Sequence, residues 1–122
     1  MQTQLALSPQ PLQAVPPKAL IVTDSVLERV ALSKLCAAQG FQVIEASGQD
    51  NVLDLIERER IDLLVCDFDL RDQDGLEICA SVRQAKFDFY VYIILLSNKP
   101  EESFAIAALQ SGVDEHFCKP LS

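Results

Sequence analysis

Basic charge is in short supply in this chain: 10 Lys and Arg stand against 18 Asp and Glu, a formal net charge of −8 at pH 7. A nucleic-acid surface needs clustered Lys and Arg to displace counterions from phosphates, so direct binding to DNA or RNA is not expected. Long apolar runs are also absent. The longest are strand-length, well short of the roughly 20 residues that cross a bilayer, and the N-terminus has no basic segment followed by an apolar one. Neither a membrane span nor a signal peptide is expected, and a cytoplasmic location follows. The four cysteines, Cys36, Cys66, Cys79 and Cys118, form no C-x-x-C pair, which excludes zinc and thioredoxin-type sites. Each lies among apolar neighbours and reads as a small buried hydrophobe, with Cys66 facing away from the side that Asp67 addresses. Glycine is sparse too, at four residues. The loop Thr23-Asp24-Ser25 is acidic and lacks a Gly-rich or Ser/Thr-rich cradle, which argues against a flavin carrier.

What is present fits one ordinary globular domain. A chain of 122 residues with 49% hydrophobic and 23% charged residues has enough material for a single core. Residues 1–17 hold four of the six prolines and no helical period, and read as a leader whose Leu5, Leu7, Leu12 and Val15 leave docking open. From Lys18 onward strands and helices alternate. The predicted strands are Ala19 to Thr23, Gln42 to Ala46, Ile61 to Asp67, Val91 to Leu96 and Glu115 to Cys118. A first helix carries Leu27, Ala31 and Leu35 inward at i, i+4 and i+8, begins at a cap on Asp24 or Ser25, and stops at Gly40. Helices are also predicted at Gln49 to Glu59, from Gly75 onward with Leu76, Ile78, Cys79 and Val82, and at Glu101 to Gln110. This order calls for right-handed crossovers and a doubly wound parallel sheet. Four helices over five strands leave one face thinly covered, so residues 18–122 are expected to be a domain cut before its final helix.

Each apolar strand ends in a polar group: Thr23-Asp24-Ser25, Asp67, Ser97 and Lys119-Pro120. In an open parallel sheet the carboxyl ends of the strands share one edge, where ligands bind. Carboxylates, a hydroxyl and an ammonium gathered there suit a magnesium ion and a phosphoryl group. Taken singly, Asp24 also fits a helix cap, Ser97 a strand end and Lys119 a solvated charge, while Asp74-Gly75 fits turn chemistry completely.

Four motifs in order, Ile21-Val22-Thr23-Asp24-Ser25, Asp62-Leu63-Leu64-Val65-Cys66-Asp67 with Asp74-Gly75-Leu76-Glu77, Ile94-Leu95-Leu96-Ser97 and Cys118-Lys119-Pro120, make residues 18–120 resemble the receiver domain of bacterial two-component response regulators. The resemblance implies a flavodoxin-like five-stranded sheet of order 2-1-3-4-5 and a signalling switch, at most a self-phosphorylating acceptor and autophosphatase, not an enzyme. It makes Asp67 the phosphoacceptor, served by a histidine kinase or phosphotransfer protein. It assigns Mg²⁺ to Asp24, Asp67 and the backbone carbonyl of Asp69. Lys119 would neutralise the phosphoryl oxygens and Ser97 would hydrogen-bond them, with a cis peptide before Pro120. The stretch Tyr90 to Ser97 is similar to receivers joined to diguanylate cyclase, so a missing C-terminal output domain is expected, and a homodimer is compatible.

Three residues depart from the family pattern. Thr23 stands where a first acid is usual, which weakens the expected Mg²⁺ site and favours the rival reading, an unphosphorylated pseudo-receiver acting as a dimerisation or protein-binding module. His116 replaces the usual aromatic and, with Ser97, forms the expected switch, adding pH sensitivity. Arg71 replaces a frequent Pro and is expected to loosen its loop. Spacing further predicts that Asp69 and Lys99, each two residues beyond a site residue, pair as a gate that slows water.

Overall fold

The computed structural model describes residues 15–120. Most of the predicted leader, including Leu5, Leu7 and Leu12, lies outside the described residues, as do Leu121 and Ser122. Nine elements alternate: β1 (Lys18–Val22), α1 (Val26–Ala38), β2 (Gln42–Ala46), α2 (Val52–Glu59), β3 (Leu63–Asp67), α3 (Gly75–Gln84), β4 (Tyr92–Ser97), α4 (Glu102–Gln110) and β5 (Glu115–Cys118). The strands pair in parallel in the order β2-β1-β3-β4-β5.

Where boundaries differ from expectation, a cap explains the difference. The Asn51 side chain accepts from the backbone of Asp54, so α2 begins at Val52 and not at Gln49. At its other end Arg60 adopts φ 52, and Ile61 N donates to Ile56 O, so Ile61 closes the helix before β3 starts.

Side chains alternate across the sheet. On one face Leu20, Val22, Leu64, Cys66, Ile93 and Leu95 pack beneath α2, α3 and α4, through Val52, Ile56, Ile78, Cys79, Val82 and Ala108. On the other, Ala19, Ile21, Val65 and Leu96 meet only α1, through Leu32 and Cys36. Cys66 and Asp67 therefore address opposite faces, and the face under α1 is the thinly covered one among the described residues.

Two expectations fail here. The inward stripe of α1 is Leu32 and Cys36, while Leu27 is 84% exposed and Leu35 56%. The helix carries two apolar stripes one residue apart, and the sheet selects the one that Ile21, Val65 and Leu96 can reach. Cys118 is exposed, unlike the other three cysteines, because it lies on the edge strand with no described element over it.

Candidate functional site

The alternation that builds the core also aims the site. Asp67 follows Leu63 and Val65 on the α1 face of β3, and Thr23 follows Ala19 and Ile21 from β1 on the same face. On α1, Glu28 heads the i, i+4, i+8 stripe that continues through Leu32 and Cys36, so its side chain also turns inward. The three meet. Thr23 Oγ1 lies 3.2 Å from Asp67 Oδ2 and 3.3 Å from Glu28 Oε1.

Lys119 completes the cluster from the end of β5. Its Nζ lies 2.9 Å from Asp67 Oδ1, 2.9 Å from Glu28 Oε2 and 3.7 Å from Asp69 Oδ2. Its backbone N–H donates to Ser97 O, and its peptide bond to Pro120 is cis. Asp67 is 3% exposed and its Oδ1 also accepts from Asp69 N. Burial raises the Asp67 carboxyl above its ordinary pKa, opposed by the Lys119 ammonium and reinforced by Glu28. Burial alone would lower the Lys119 pKa, but hydrogen bonds to Glu28 and Asp67 outweigh it and hold the ammonium charged. For Glu28, less buried than Asp67, the ammonium prevails over burial and the carboxyl stays below its usual range.

Ser97 is fully buried but lies on the opposite face from Asp67, with Leu95. Its Oγ sits 2.7 Å from His116 Nε2 and accepts from Lys99 N at 3.2 Å. His116 meets the Phe104 ring edge-on at 5.2 Å, and burial lowers its pKa. Ser97 and His116 thus form a pair beside Asp67 and not within its hydrogen-bonded cluster.

Asp24 departs from expectation as well. Its Oδ1 accepts from Gly48 N at 3.0 Å and its Oδ2 from Arg71 N at 2.9 Å, fastening the loops after β2 and β3. Those two backbone N–H groups, Arg71 first, lower its pKa. The helix cap falls to Ser25, whose hydroxyl accepts from Glu28 N. Arg71 supplies an N–H that a proline would lack, so this loop is tied down where a loosened one was expected. The predicted Asp69–Lys99 pair does not form. Asp69 reaches Asn98 and Lys119, while the Lys99 ammonium lies over the Phe68 and Phe104 rings, at 5.5 and 6.0 Å from their centroids.

Glu28 is the site residue that sequence reasoning missed. Two signals for it were present: the alternative stripe at positions 28, 32 and 36, and the spacing Ser25-x-x-Glu28 of a helix start.

The sequence model of the response regulator receiver domain matches residues 19–122. The chain belongs to that family. It is 35% identical over 105 residues to the alkaline phosphatase synthesis transcriptional regulatory protein PhoP of Bacillus subtilis, covering 86% of this chain and 43% of that protein. It is 31% identical over 105 residues to the transcriptional regulatory protein AfsQ1 of Streptomyces coelicolor, covering 86% and 45%. The receiver chain thus spans less than half the length of these curated relatives. Its fold is similar to a chain in the crystal structure of the CheX–CheY–BeF3–Mg²⁺ complex from Borrelia burgdorferi, with TM-score 0.78 and 25% identity over 90% of this chain and 83% of that one.

Receiver domains of this family bind Mg²⁺ at the phosphorylation site. Among the described residues no three His, Cys, Asp or Glu side chains are grouped to hold a metal. Mg²⁺ asks for less, since it keeps several waters and needs only one or two carboxylates. Asp67, the Asp69 carbonyl and Asp24 are hard oxygen donors. Both Asp24 oxygens already accept a backbone N–H, yet each keeps a second lone pair. The donor chemistry fits a water-rich site.

Proposed function

We propose that this domain is a phosphorylation-controlled switch in which Asp67 accepts a phosphoryl group from a phosphohistidine on a histidine kinase or phosphotransfer protein. A carboxylate oxygen of Asp67 bonds to phosphorus while the phosphorus–nitrogen bond breaks; the electron pair of that bond stays on the histidine ring, which a proton converts to neutral imidazole, and an acyl phosphate is left on Asp67. The observation that carries this reading is the buried Asp67 carboxylate in contact with the Lys119 ammonium at a sheet edge. The acyl phosphate carries roughly −1.5 to −2 units of charge where the carboxylate carried −1, and Lys119 is already in position to offset part of the increase.

Mg²⁺ held by Asp67, Asp24 and the Asp69 carbonyl would neutralise the phosphoryl oxygens as they develop charge. Ser97, beside the site, would turn from His116 toward the phosphate, and His116 would follow into the space left behind. That repacking of β4, β5 and α4 is the signal passed on. The module works in the cytoplasm, on residues 18–122, and controls an output domain. PhoP and AfsQ1 are transcriptional regulatory proteins, which supports an output that regulates transcription over the cyclase suggested by the Tyr90 to Ser97 stretch.

The test is intact-protein mass after incubation with MgCl2 and acetyl phosphate. One added phosphoryl group, lost in Asp67→Asn, is expected; no adduct on the parent chain refutes the reading. A second reading, the unphosphorylated binding module, is favoured by the engagement of both Asp24 oxygens with backbone amides. It predicts no adduct and no response to Mg²⁺.

A further inference from the structure

Position 23 has lost an acid, yet the pocket has not lost a carboxylate. In a Ser-x-x-Glu helix start the glutamate ordinarily turns back to the backbone N–H of the capping residue. Here Ser25 N donates instead to Thr23 Oγ1, at 3.1 Å. That frees the Glu28 side chain to run inward, where its two oxygens reach Thr23 Oγ1 and Lys119 Nζ. The same threonine that removes a carboxylate from the strand end releases one from the helix.

Charge shows what this accomplishes. Without Glu28, the ammonium would be matched by Asp67 at 2.9 Å and, more distantly, by the exposed Asp69 at 3.7 Å. Glu28, also at 2.9 Å, adds a second close carboxylate to the same ammonium and makes the cluster more negative.

We propose that Glu28 is the relocated acid of this receiver, a positioning residue that anchors Lys119 beside Asp67 and restores the negative charge that draws Mg²⁺ to the pocket. This rests on the phosphoacceptor reading and adds to it the residue that makes Thr23 tolerable. Glu28 acts through Lys119 and Thr23, to which its two oxygens are committed.

The experiment is an amide NMR titration of the full chain with MgCl2, comparing the parent with Glu28→Gln, Glu28→Asp and the double variant Thr23→Asp/Glu28→Gln. Outer partners of metal ligands typically contribute 10- to 100-fold in affinity, so Glu28→Gln is expected to weaken Mg²⁺ binding by about 10-fold. Glu28→Asp, which keeps the charge but shortens the reach, should fall similarly. The double variant should recover most of the loss, because it returns the acid to the strand end. The Glu28 side chain is 31% exposed, so these changes should leave the amide spectrum folded. Glu28→Gln that binds Mg²⁺ as tightly as the parent, or a double variant as weak as the single one, overturns the assignment. So does a parent chain that ignores Mg²⁺.

The acetyl phosphate mass adduct separates the two claims. An adduct on the parent together with unchanged Mg²⁺ affinity in Glu28→Gln removes only the role of Glu28. No adduct despite Glu28-dependent Mg²⁺ binding removes the acceptor reading and leaves the relocated acid standing.

Discussion

Gly75 offers the sharpest test of how the backbone positions Asp67, the proposed acceptor. It is the first residue of α3, its N–H donates to Phe68 O, and its φ is not among the positive values, so turn conformation does not demand glycine here. Space does. A Cβ at this position would lie 2.0 Å from the carbonyl oxygen of Asp67, 2.8 Å from its carbonyl carbon and 3.0 Å from Phe68 Cα. All three are backbone atoms, so no side-chain rotation relieves the overlap, and β3 and α3 must separate by about 1 Å before the contact becomes tolerable. Overpacking of this kind costs about 3 kcal/mol when backbone has to yield. In a domain near 100 residues that corresponds to a melting point lower by about 10–20 °C. The displaced atom is the carbonyl of Asp67, the proposed acceptor, and a misplacement of about 1 Å typically costs about 100-fold in rate, so phosphorylation by acetyl phosphate should slow to that degree even well below the melting point. Gly75→Ala is compared with the parent by circular-dichroism melting and by the rate of mass gain. A variant melting within about 4 °C of the parent, which is under about 1 kcal/mol, would refute the steric reasoning.

Other consequences are smaller but equally direct. Burial keeps His116 below its ordinary pKa of 6.5, so the unfolded chain binds the proton first as pH falls. Stability should therefore decline as pH drops through that value, with the loss complete below the folded pKa; His116→Phe should flatten this component of urea midpoints measured from about pH 7.5 to about pH 5, and an unchanged slope counts against it. Asp114 accepts from Arg83 Nη2 at 2.9 Å, from Ile93 N at 2.7 Å and from the Tyr90 hydroxyl, tying α3 to β4 and to the start of β5. Asp114→Ala should cost about 2 kcal/mol by urea denaturation, since hydrogen bonds to charged groups contribute that much and Ile93 N and Arg83 are left short of a partner. A loss below about 0.5 kcal/mol would mean that water replaces the carboxylate.

The architecture was legible because its determinants are local and repeated. Apolar runs of strand length, a cap at Asp24 or Ser25 and a stop at Gly40 each agree with the alternating order; the cap falls to Ser25, and Gly40 adopts a positive φ. Asp67 and Lys119 were legible for a different reason: a carboxylate at the end of a buried strand is costly without a partner, and the parallel sheet puts the end of β5 near the end of β3. The side to which α1 turns was not legible. Stripes at 27, 31, 35 and at 28, 32, 36 satisfy the same period, and the second begins with a charged residue that periodicity alone assigns to solvent. Lys99 was misread because two residues beyond a strand says nothing about aromatic rings arriving from other elements; Phe68 and Phe104, 4.9 Å apart, take the ammonium that spacing had given to Asp69.

Two of the three departures from the family pattern, Thr23 and Arg71, look independent in the sequence, yet both bear on where the carboxylates near Asp67 are held. Thr23 removes one acid and, by accepting from Ser25 N, releases Glu28 toward Lys119. Arg71 brings the N–H that binds Asp24 Oδ2, so the remaining strand-end acid is turned partly toward the loops while Glu28 moves in from the helix. The negative charge near Asp67 has been redistributed from the strand ends to the first turn of α1. Counting motif residues at positions 23 and 24 therefore understates this pocket, because the ammonium at Lys119 responds to the carboxylates that touch it, whichever element supplies them.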